Sequence, residues 1–346
     1  MSNQIDNDAK IIADSNWGFG GHKIVRNSSG HIYVVQINDS GYLELHKSTD
    51  DGDTWSNITT FNDAITIIHP CIDVDGNDNV YITYCYGASS PYTMKLKKVT
   101  PANVITTPVT ETIYFETKTP NSYVRAYDDT VHLVWIENTY DLSTESVDII
   151  SQISSDYGVS FSSNIDYNLT TTHLAMDEYQ PIIGLDLDSS YNIAVAVYYP
   201  NYYHMIKFLP NGTFISDTQM TGALDATVQR GSDFVLNKND EIWNAFFYYS
   251  SYQWRIKTYN DGSHLNLAEI VTSFKPGNMV IGCDNDNNIY IYYTKTDEKL
   301  YLRKYISDTD TWEAEVTVTT GDGMRPSCEL HVLPGKSFIH YTFFSD

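Results

Sequence analysis

A polar turn followed by a short apolar or aromatic strand recurs along this chain, and that recurrence limits the fold more than any other feature. The copies include Gly30-His31-Ile32-Tyr33-Val34-Val35, Asn79-Val80-Tyr81-Ile82-Thr83-Tyr84 and Asn288-Ile289-Tyr290-Ile291-Tyr292-Tyr293. Their first apolar residues stand at 32, 80, 131, 193, 242, 289 and 338, so neighbouring copies are 47 to 62 residues apart. That period holds about four short strands per unit and belongs to propeller arrays. The expectation is an all-β chain forming one seven-bladed β-propeller, with six blades as the alternative. The 28 Tyr, 13 Phe and 6 Trp favour strands over helices.

The strands of each unit, A to D from the inside outward, can be read from the pattern. Strand A is an apolar segment such as His69-Pro70-Cys71-Ile72-Asp73-Val74, and strand B is the repeat itself. Strand C is represented by Leu43-Glu44-Leu45-His46-Lys47 and by Met205-Ile206-Lys207-Phe208. No Pro/Gly/Ser-rich linker interrupts the period, so residues 1–346 are expected to form one domain. The expected blades span about 18–62, 63–115, 116–175, 176–225, 226–273, 274–320 and 321–346, the last completed by residues 5–17. The N-terminal strand closing the last blade removes an open edge. The longest interval carries a long B–C hairpin around Asn138 to Val147.

A second pattern sits between strands C and D. Ser48-Thr49-Asp50-Asp51-Gly52-Asp53-Thr54-Trp55 and Ser154-Ser155-Asp156-Tyr157-Gly158-Val159-Ser160-Phe161 both read Ser-x-Asp-x-Gly-x-(Thr/Ser)-aromatic. The Ser and Asp side chains suit bonding to nearby backbone N–H groups, the Gly suits a positive φ, and the aromatic anchors the returning strand. Worn versions follow at Asn211-Gly212, Asn260-Asp261-Gly262 and Ser307-Asp308-Thr309-Asp310-Thr311-Trp312.

On these residues the chain resembles the Asp-box (BNR-repeat) propellers, a group that includes sialidases. The resemblance implies that Ser48, Asp50, Gly52, Trp55, Ser154, Asp156, Gly158 and Phe161 are structural turn residues on the face opposite any ligand site. It also implies a sialidase-like exo-glycosidase as one reading. The first blade, however, reads His22-Lys23-Ile24-Val25-Arg26 rather than the Arg-Ile-Pro order of sialidases, and seven repeats exceed their usual six blades. No catalytic residue is therefore assigned.

The ligand face is expected where B–C hairpins and strand A starts meet. The hairpins are rich in aromatics: Tyr198-Tyr199-Pro200-Asn201-Tyr202-Tyr203 and Tyr248-Tyr249-Ser250-Ser251-Tyr252-Gln253-Trp254. Tyr199, Tyr202, Tyr252 and Trp254 combine flat apolar faces with polar tips, which suits sugars and protein hot spots. The bland alternative is that such tyrosines pack between blades. Strand A starts carry His22, His69, Tyr123, Gln180, Arg230, Asn278 and Arg325. Arg230 and Arg325 suit a carboxylate or phosphate as paired forks, with internal salt bridges as the alternative.

Charge narrows the partners. A formal net charge of −23 repels phosphate backbones and anionic membranes, which excludes nucleic acid. No run of about 18 apolar residues offers a membrane span. The segment Met1-Ser2-Asn3-Gln4-Ile5-Asp6 lacks the basic and apolar regions of a secretory signal, so a cytoplasmic or virion-associated protein is expected. Expected cofactors are none. Calcium is the one alternative, at the oxygen-rich turns Asp73 to Asn79 and Asp284 to Asn288. The four cysteines form no CxxC pair and read as buried fillers, with a Cys71–Cys85 disulfide as the alternative. Three functions remain: a non-enzymatic, lectin-like module binding a glycan or protein, a sialidase-like glycosidase, and a structural or receptor-binding part of a phage-type particle.

Overall fold

The computed structural model describes residues 23–38, 40–62, 67–114, 120–141, 144–167, 182–199, 202–211, 213–219, 230–250, 253–260, 263–265, 279–284, 286–294, 300–317, 324–333 and 336–344. All regular structure among them is β, apart from one 3₁₀ turn at Ser307–Thr309. The chain divides into two compact units, Met1–Leu185 with Pro210–Phe214, and Asp186–Leu209 with Ile215–Asp346.

The sheets are antiparallel meanders in chain order. The first holds β1 (Ile24–Arg26), β2 (Ile32–Ile37), β3 (Leu43–Ser48) and β4 (Ser56–Phe61). The second holds β5 (Ile67–Val74), β6 (Val80–Tyr86), β7 (Tyr92–Val99) and β8 (Ile105–Ile113). The third holds β9 (Ser122–Tyr127), β10 (Thr130–Asp141), β11 (Thr144–Ser154) and β12 (Ile165–Asp166). The fourth holds β13 (Ile182–Leu187), β14 (Ile193–Tyr199), β15 (Tyr202–Phe208) and β16 (Phe214–Gln219). The fifth holds β17 (Arg230–Leu236), β18 (Ile242–Ser250), β19 (Gln253–Asn260) and β20 (Ser263–Leu265). In the sixth, β21 (Met279–Cys283) and β22 (Ile289–Thr294) lead to β23 (Leu300–Ile306), whose outer edge pairs with both β24 (Thr311–Trp312) and β25 (Val316–Thr317). The last sheet is the pair β26 (Met324–Leu333) and β27 (Lys336–Phe344).

The expected strand order A to D is therefore present, but the blade count differs. Five sheets among the described residues are four-stranded blades, rather than seven or six. A sixth sheet has a split outer edge, and the last among the described residues is a two-stranded pair. Residues 5–17, expected to complete that pair, lie outside the described residues. The predicted long hairpin is present, with Asn138 opposite Val147.

Burial explains why these segments are strands. In β5 seven of eight residues are buried, a near-continuous apolar run that suits an inner strand covered on both faces. The outer β4 is mostly exposed or half-buried. Alternate residues of one sheet face opposite neighbours. Val25, Tyr33, Val35, Leu43 and Leu45 pack against Ile72, Val80, Ile82 and Tyr84 of the second sheet. Ile24, Ile32 and Val34 form a separate cluster that Trp55 covers. Fully burying each such side chain stabilises the fold by about 1.5–3 kcal/mol.

Both octapeptides form the same turn. Ser48 Oγ donates to Asp50 Oδ1 at 2.8 Å and accepts from Gly52 N at 2.9 Å. Ser154 Oγ does the same with Asp156 Oδ1 and Gly158 N, at 2.7 and 2.9 Å. Each Asp Oδ1 also accepts from a backbone N–H, Thr54 or Ser160, at 2.9 Å. These bonds, led by that from the Ser160 hydroxyl, hold the Asp156 carboxyl far below its usual range. The worn copy at Ser307 to Trp312 becomes the 3₁₀ turn, closed by Tyr305 OH donating to Asp310 Oδ1 at 2.7 Å.

The A–B turns repeat as well. Asp75, Asp188, Asn237 and Asp284 each accept at Oδ1 from the backbone N–H groups two and four residues on. The residue three on, Asp78, Tyr191, Asp240 or Asn287, takes φ 61°. Some of these left-handed residues reach back one blade. Asp78 accepts from Ser28 N and Ser29 Oγ, Asp240 from Ser189 N and Ser189 Oγ, and Asn287 from Lys238 N. Adjacent blades are thus stapled turn to turn. Burial opposes the Asp78 charge, but the bonds from Ser29 and Ser28 outweigh it and hold the carboxyl low. Its folded pKa is depressed, so the staple's contribution is present above the ordinary Asp range and is lost as pH falls through the folded value. Asp78→Ala is expected to destabilise by about 1 kcal/mol at pH 7, read by urea denaturation. An unchanged midpoint would show that the staple contributes nothing.

Candidate functional site

The two ends of the strands in the first unit have different chemistry. At one end the A–B and C–D turns meet. The Arg26 guanidinium bonds Asp51, Tyr157 N donates to Asp129 O at 2.8 Å, and Tyr81 OH donates to Tyr157 O at 2.7 Å. The octapeptide turns therefore lie beside the A–B turns, and the B–C hairpins occupy the other end.

At that other end, the inner strands begin with bulges. In β5 the pairing steps from Ile68 opposite Cys85 to Cys71 opposite Thr83, leaving His69-Pro70 as the extra backbone. In β17 the step runs from Arg230 opposite Phe247 to Asp233 opposite Ala245. In β26 it runs from Met324 opposite Phe344 to Ser327 opposite Thr342, which places Arg325-Pro326 in the same position as His69-Pro70. A bulge re-aims side chains and is common beside functional sites. Proline fits here because inner strands are blade edges, where a missing N–H breaks no ladder.

His69 is buried, with a left-handed φ of 47°. Burial, with help from the Lys23 charge, pushes its pKa down to about 3, so it is neutral at physiological pH. The Lys23 ammonium donates to the Pro70 carbonyl. Alongside, β9 is joined to β5 by Ala126 N donating to Asp73 Oδ2 at 2.9 Å. Its start carries Asn121, which donates to Tyr123 OH at 3.4 Å, and Ser122, which accepts from Thr83 Oγ1 at 2.8 Å. His69 and Tyr123 thus head adjacent inner strands.

Outward from them, Tyr84 and Tyr86 have ring centroids 6.2 Å apart, and Lys95 Nζ lies 5.1 Å over the Tyr86 ring. On β10, the buried Trp135 donates its indole N–H to Glu137 Oε1 at 2.9 Å. Burial raises the Glu137 pKa, and Glu111, Asp148 and Asp166 add to the rise, against the Trp135 bond. Asp148 stands directly opposite Glu137 in the hairpin register. Glu137 escaped the sequence reading because nothing local marks it; its surroundings come from three strands and the second sheet.

In the second unit the backbone register places the hairpin aromatics. In the backbone register Tyr199 pairs with Tyr202, and Tyr249 pairs with Trp254. Arg230 opens β17 and Arg325 lies in β26. Gln180 and Tyr252, with His22 and Asn278, lie outside the described residues. His69 and Arg325 each precede a proline, and both dipeptides form the bulge of their strand.

The calcium alternative has an ordinary account in these turns. The Asp75 and Asp284 carboxylates are occupied by their own turn N–H groups, by Asn79 and Asn288 side chains, and by the Tyr81 and Tyr290 hydroxyls. Among the described residues no group of three or more His, Cys, Asp and Glu is placed to hold a metal. Cys71 and Cys85 are free and buried, so the disulfide alternative is not realised. Burial raises both thiols, Cys85 to about 12.

No family model matches the chain, and no curated protein matches it in sequence. Solved structures do match. The alpha-L-arabinofuranosidase of Fusarium graminearum, a mutant in complex with an iminosugar inhibitor, superposes with a TM-score of 0.54 at 12% identity, covering 82% of this chain and 90% of that one. Saccharomyces cerevisiae Sqt1 superposes with a TM-score of 0.55 at 10% identity, covering 93% of this chain and 80% of that one. The fold is a β-propeller. At these identities the likeness is one of fold alone, and fold does not carry function. No helix among the described residues is long and apolar enough to cross a membrane.

Proposed function

We propose that this propeller is a non-enzymatic, lectin-like binding module whose B–C end takes a carbohydrate. The observation that carries the reading is the bulge repeated at the start of three inner strands, at His69-Pro70, at Gly231-Ser232 just after Arg230, and at Arg325-Pro326. Regular inner strands have no need of it, and bulges are common beside functional sites. The hairpin ends supply tyrosine and tryptophan at Tyr86, Tyr199, Tyr202 and Trp254, the residue types that stack on sugar rings. His69, neutral at pH 7, offers hydrogen bonding without a charge to desolvate.

A glycan array followed by calorimetry tests this on the intact chain. Tyr202→Ala combined with Trp254→Ala is expected to weaken binding at least about ten-fold, the loss of one hot spot or more. Absence of binding across the array, or affinity untouched by the double variant, would sink the lectin reading and favour a protein partner.

One observation favours an enzymatic second reading. Glu137, raised by burial and neighbouring carboxylates, has the environment of a general acid, and Asp148 stands opposite it. Hydrolysis of fluorogenic glycosides, abolished by Glu137→Gln, would establish that reading; no turnover leaves binding alone.

A further inference from the structure

Gln36 of β2 and Glu44 of β3 stand directly opposite each other in the register, and His46 follows Glu44 by two residues, so all three share one face of the first sheet. Tyr33, Val35, Leu43 and Leu45 take the other face and pack against the second sheet. The three polar side chains meet at their ends. The Gln36 amide nitrogen lies 2.8 Å from His46 Nε2 and 3.1 Å from Glu44 Oε2, and His46 Nε2 lies 2.9 Å from that same oxygen. Gln36 is 8% exposed, and the His46 and Glu44 side chains are 16% and 15% exposed, so the cluster is largely removed from water.

Protons cannot serve all three edges of that triangle. An unprotonated His46 Nε2 accepts from Gln36 but turns its lone pair on the Glu44 oxygen; a protonated one donates to Glu44 but meets the Gln36 N–H. A half-turn of the Gln36 amide brings Oε1 inward and makes three electron-pair donors converge on one point. One imidazole proton would then be shared between two oxygens, whereas a cation satisfies all three atoms. The other Glu44 oxygen is already held. Asn38 Oδ1 accepts from Ser40 N and Tyr42 N, at 3.0 and 3.1 Å, which fixes its amide and aims Nδ2 at Glu44 Oε1, 2.7 Å away. Burial opposes the Glu44 charge, but the bonds from Asn38, His46 and Gln36 outweigh it and hold the carboxyl below its usual range. An ionised carboxylate is thus anchored at one oxygen and presents the other, the way an outer hydrogen bond orients a metal-ligating carboxylate.

We propose that Gln36, Glu44 and His46 form a binding site for a divalent first-row transition-metal ion such as Zn2+ or Mn2+, held by Gln36 Oε1, Glu44 Oε2 and His46 Nε2. The spacing fits, since an octahedral ion with bonds of about 2.1 Å sets neighbouring ligands about 3.0 Å apart. The imidazole selects against Mg2+ and Ca2+, which take oxygen ligands, and three protein ligands on one side leave the remaining positions to water or a bound molecule. Gln36 and Glu44 stand two residues inside the turn that Asn38 and Tyr42 close, so the ion belongs to the B–C end of the first sheet. The metal site does not rest on the carbohydrate reading above.

Calorimetric titration of the full chain, first stripped with a chelator, against Zn2+ and Mn2+ tests the site. Wild type is expected to bind a single ion. Glu44→Gln and His46→Phe, which each remove a ligand, are expected to weaken binding by more than about 100-fold, and Asn38→Ala, which removes only the orienting bond, by about 10–100-fold. Gln36→Glu adds ligand charge and is expected to tighten binding about ten-fold. In a cluster held by hydrogen bonds alone, a carboxylate at position 36 would only repel Glu44 and metal affinity would not rise. Absence of saturable binding in wild type, or an affinity that all four variants leave unchanged, would overturn the site. If the variants do not fold, an NMR titration of wild type with Zn2+ decides: His46 ring resonances that shift before those of any other imidazole support the site, and a His46 ring that stays unmoved overturns it.

Discussion

Gly158→Ala is expected to destabilise the protein by about 3 kcal/mol, whereas Gly52→Ala, the same change at the same position of the same motif, is expected to cost about 1–2 kcal/mol. Both glycines have positive φ, 68° and 95°, so an added Cβ meets the same backbone penalty at each. The difference lies in what surrounds them. A Cβ at Gly52 would meet nothing nearer than Trp55 Cζ2, at 3.9 Å, an ordinary contact. A Cβ at Gly158 would stand 2.7 Å from Tyr81 Cε1 and 3.2 Å from its hydroxyl. That ring cannot swing aside easily, because its hydroxyl is held between two acceptors that share its one proton, Asp75 Oδ2 at 2.8 Å and Tyr157 O at 2.7 Å. Overpacking against a held ring adds about 1–3 kcal/mol. Denaturant midpoints of the two variants, measured side by side, check this; equal losses would mean that Tyr81 yields.

Trp243→Ala is expected to cost about 3–5 kcal/mol, the range for removing a large buried aromatic. Trp243 is 1% exposed and packs with Ile281, Ile289, Ile291 and Tyr293, its ring 4.7 Å from that of Tyr305. Trp243→Phe is expected to cost less than about 1.5 kcal/mol. The indole Nε1 is buried and has no hydrogen-bond partner among the described residues. A phenyl ring therefore keeps most of the packing and removes an unsatisfied donor, whose burial is itself unfavourable. Thermal melting of the two variants distinguishes them, and a Phe variant as damaged as the Ala variant would show that the indole N–H has a partner.

Much of the fold was legible because period and alternation are local. Ile32-Tyr33-Val34-Val35 announces a strand buried on both faces without reference to anything distant. The A–B turn was legible too, from the Asp or Asn that opens it at 75, 188, 237 and 284. Its second use, with Asp78 and Asp240 reaching the preceding blade, needed the neighbouring turn in place. The blade count differed because an outer strand is specified weakly by its own residues: β24 and β25 are two residues each and share one edge. At the candidate site, His69 and Arg325 were found as strand starts, but the bulge in which they stand depends on partner strands. Glu137 and His132 carried no local sign, since burial among groups from other strands sets their character.

The sequence by itself determined the repeat, the strand order within it and the turn chemistry, because side-chain alternation and backbone hydrogen bonding act over a few residues. Only the tertiary structure decided how equal motifs differ. Gly52 and Gly158 close identical turns, yet a Cβ at one would make only an ordinary contact with Trp55 and at the other would run into a tethered tyrosine. His132 reads as one more polar residue in a β-strand, and is held neutral only when packing removes its water. Desolvation and charge proximity depend on which distant segments arrive together, and that information is not local to any stretch of the chain.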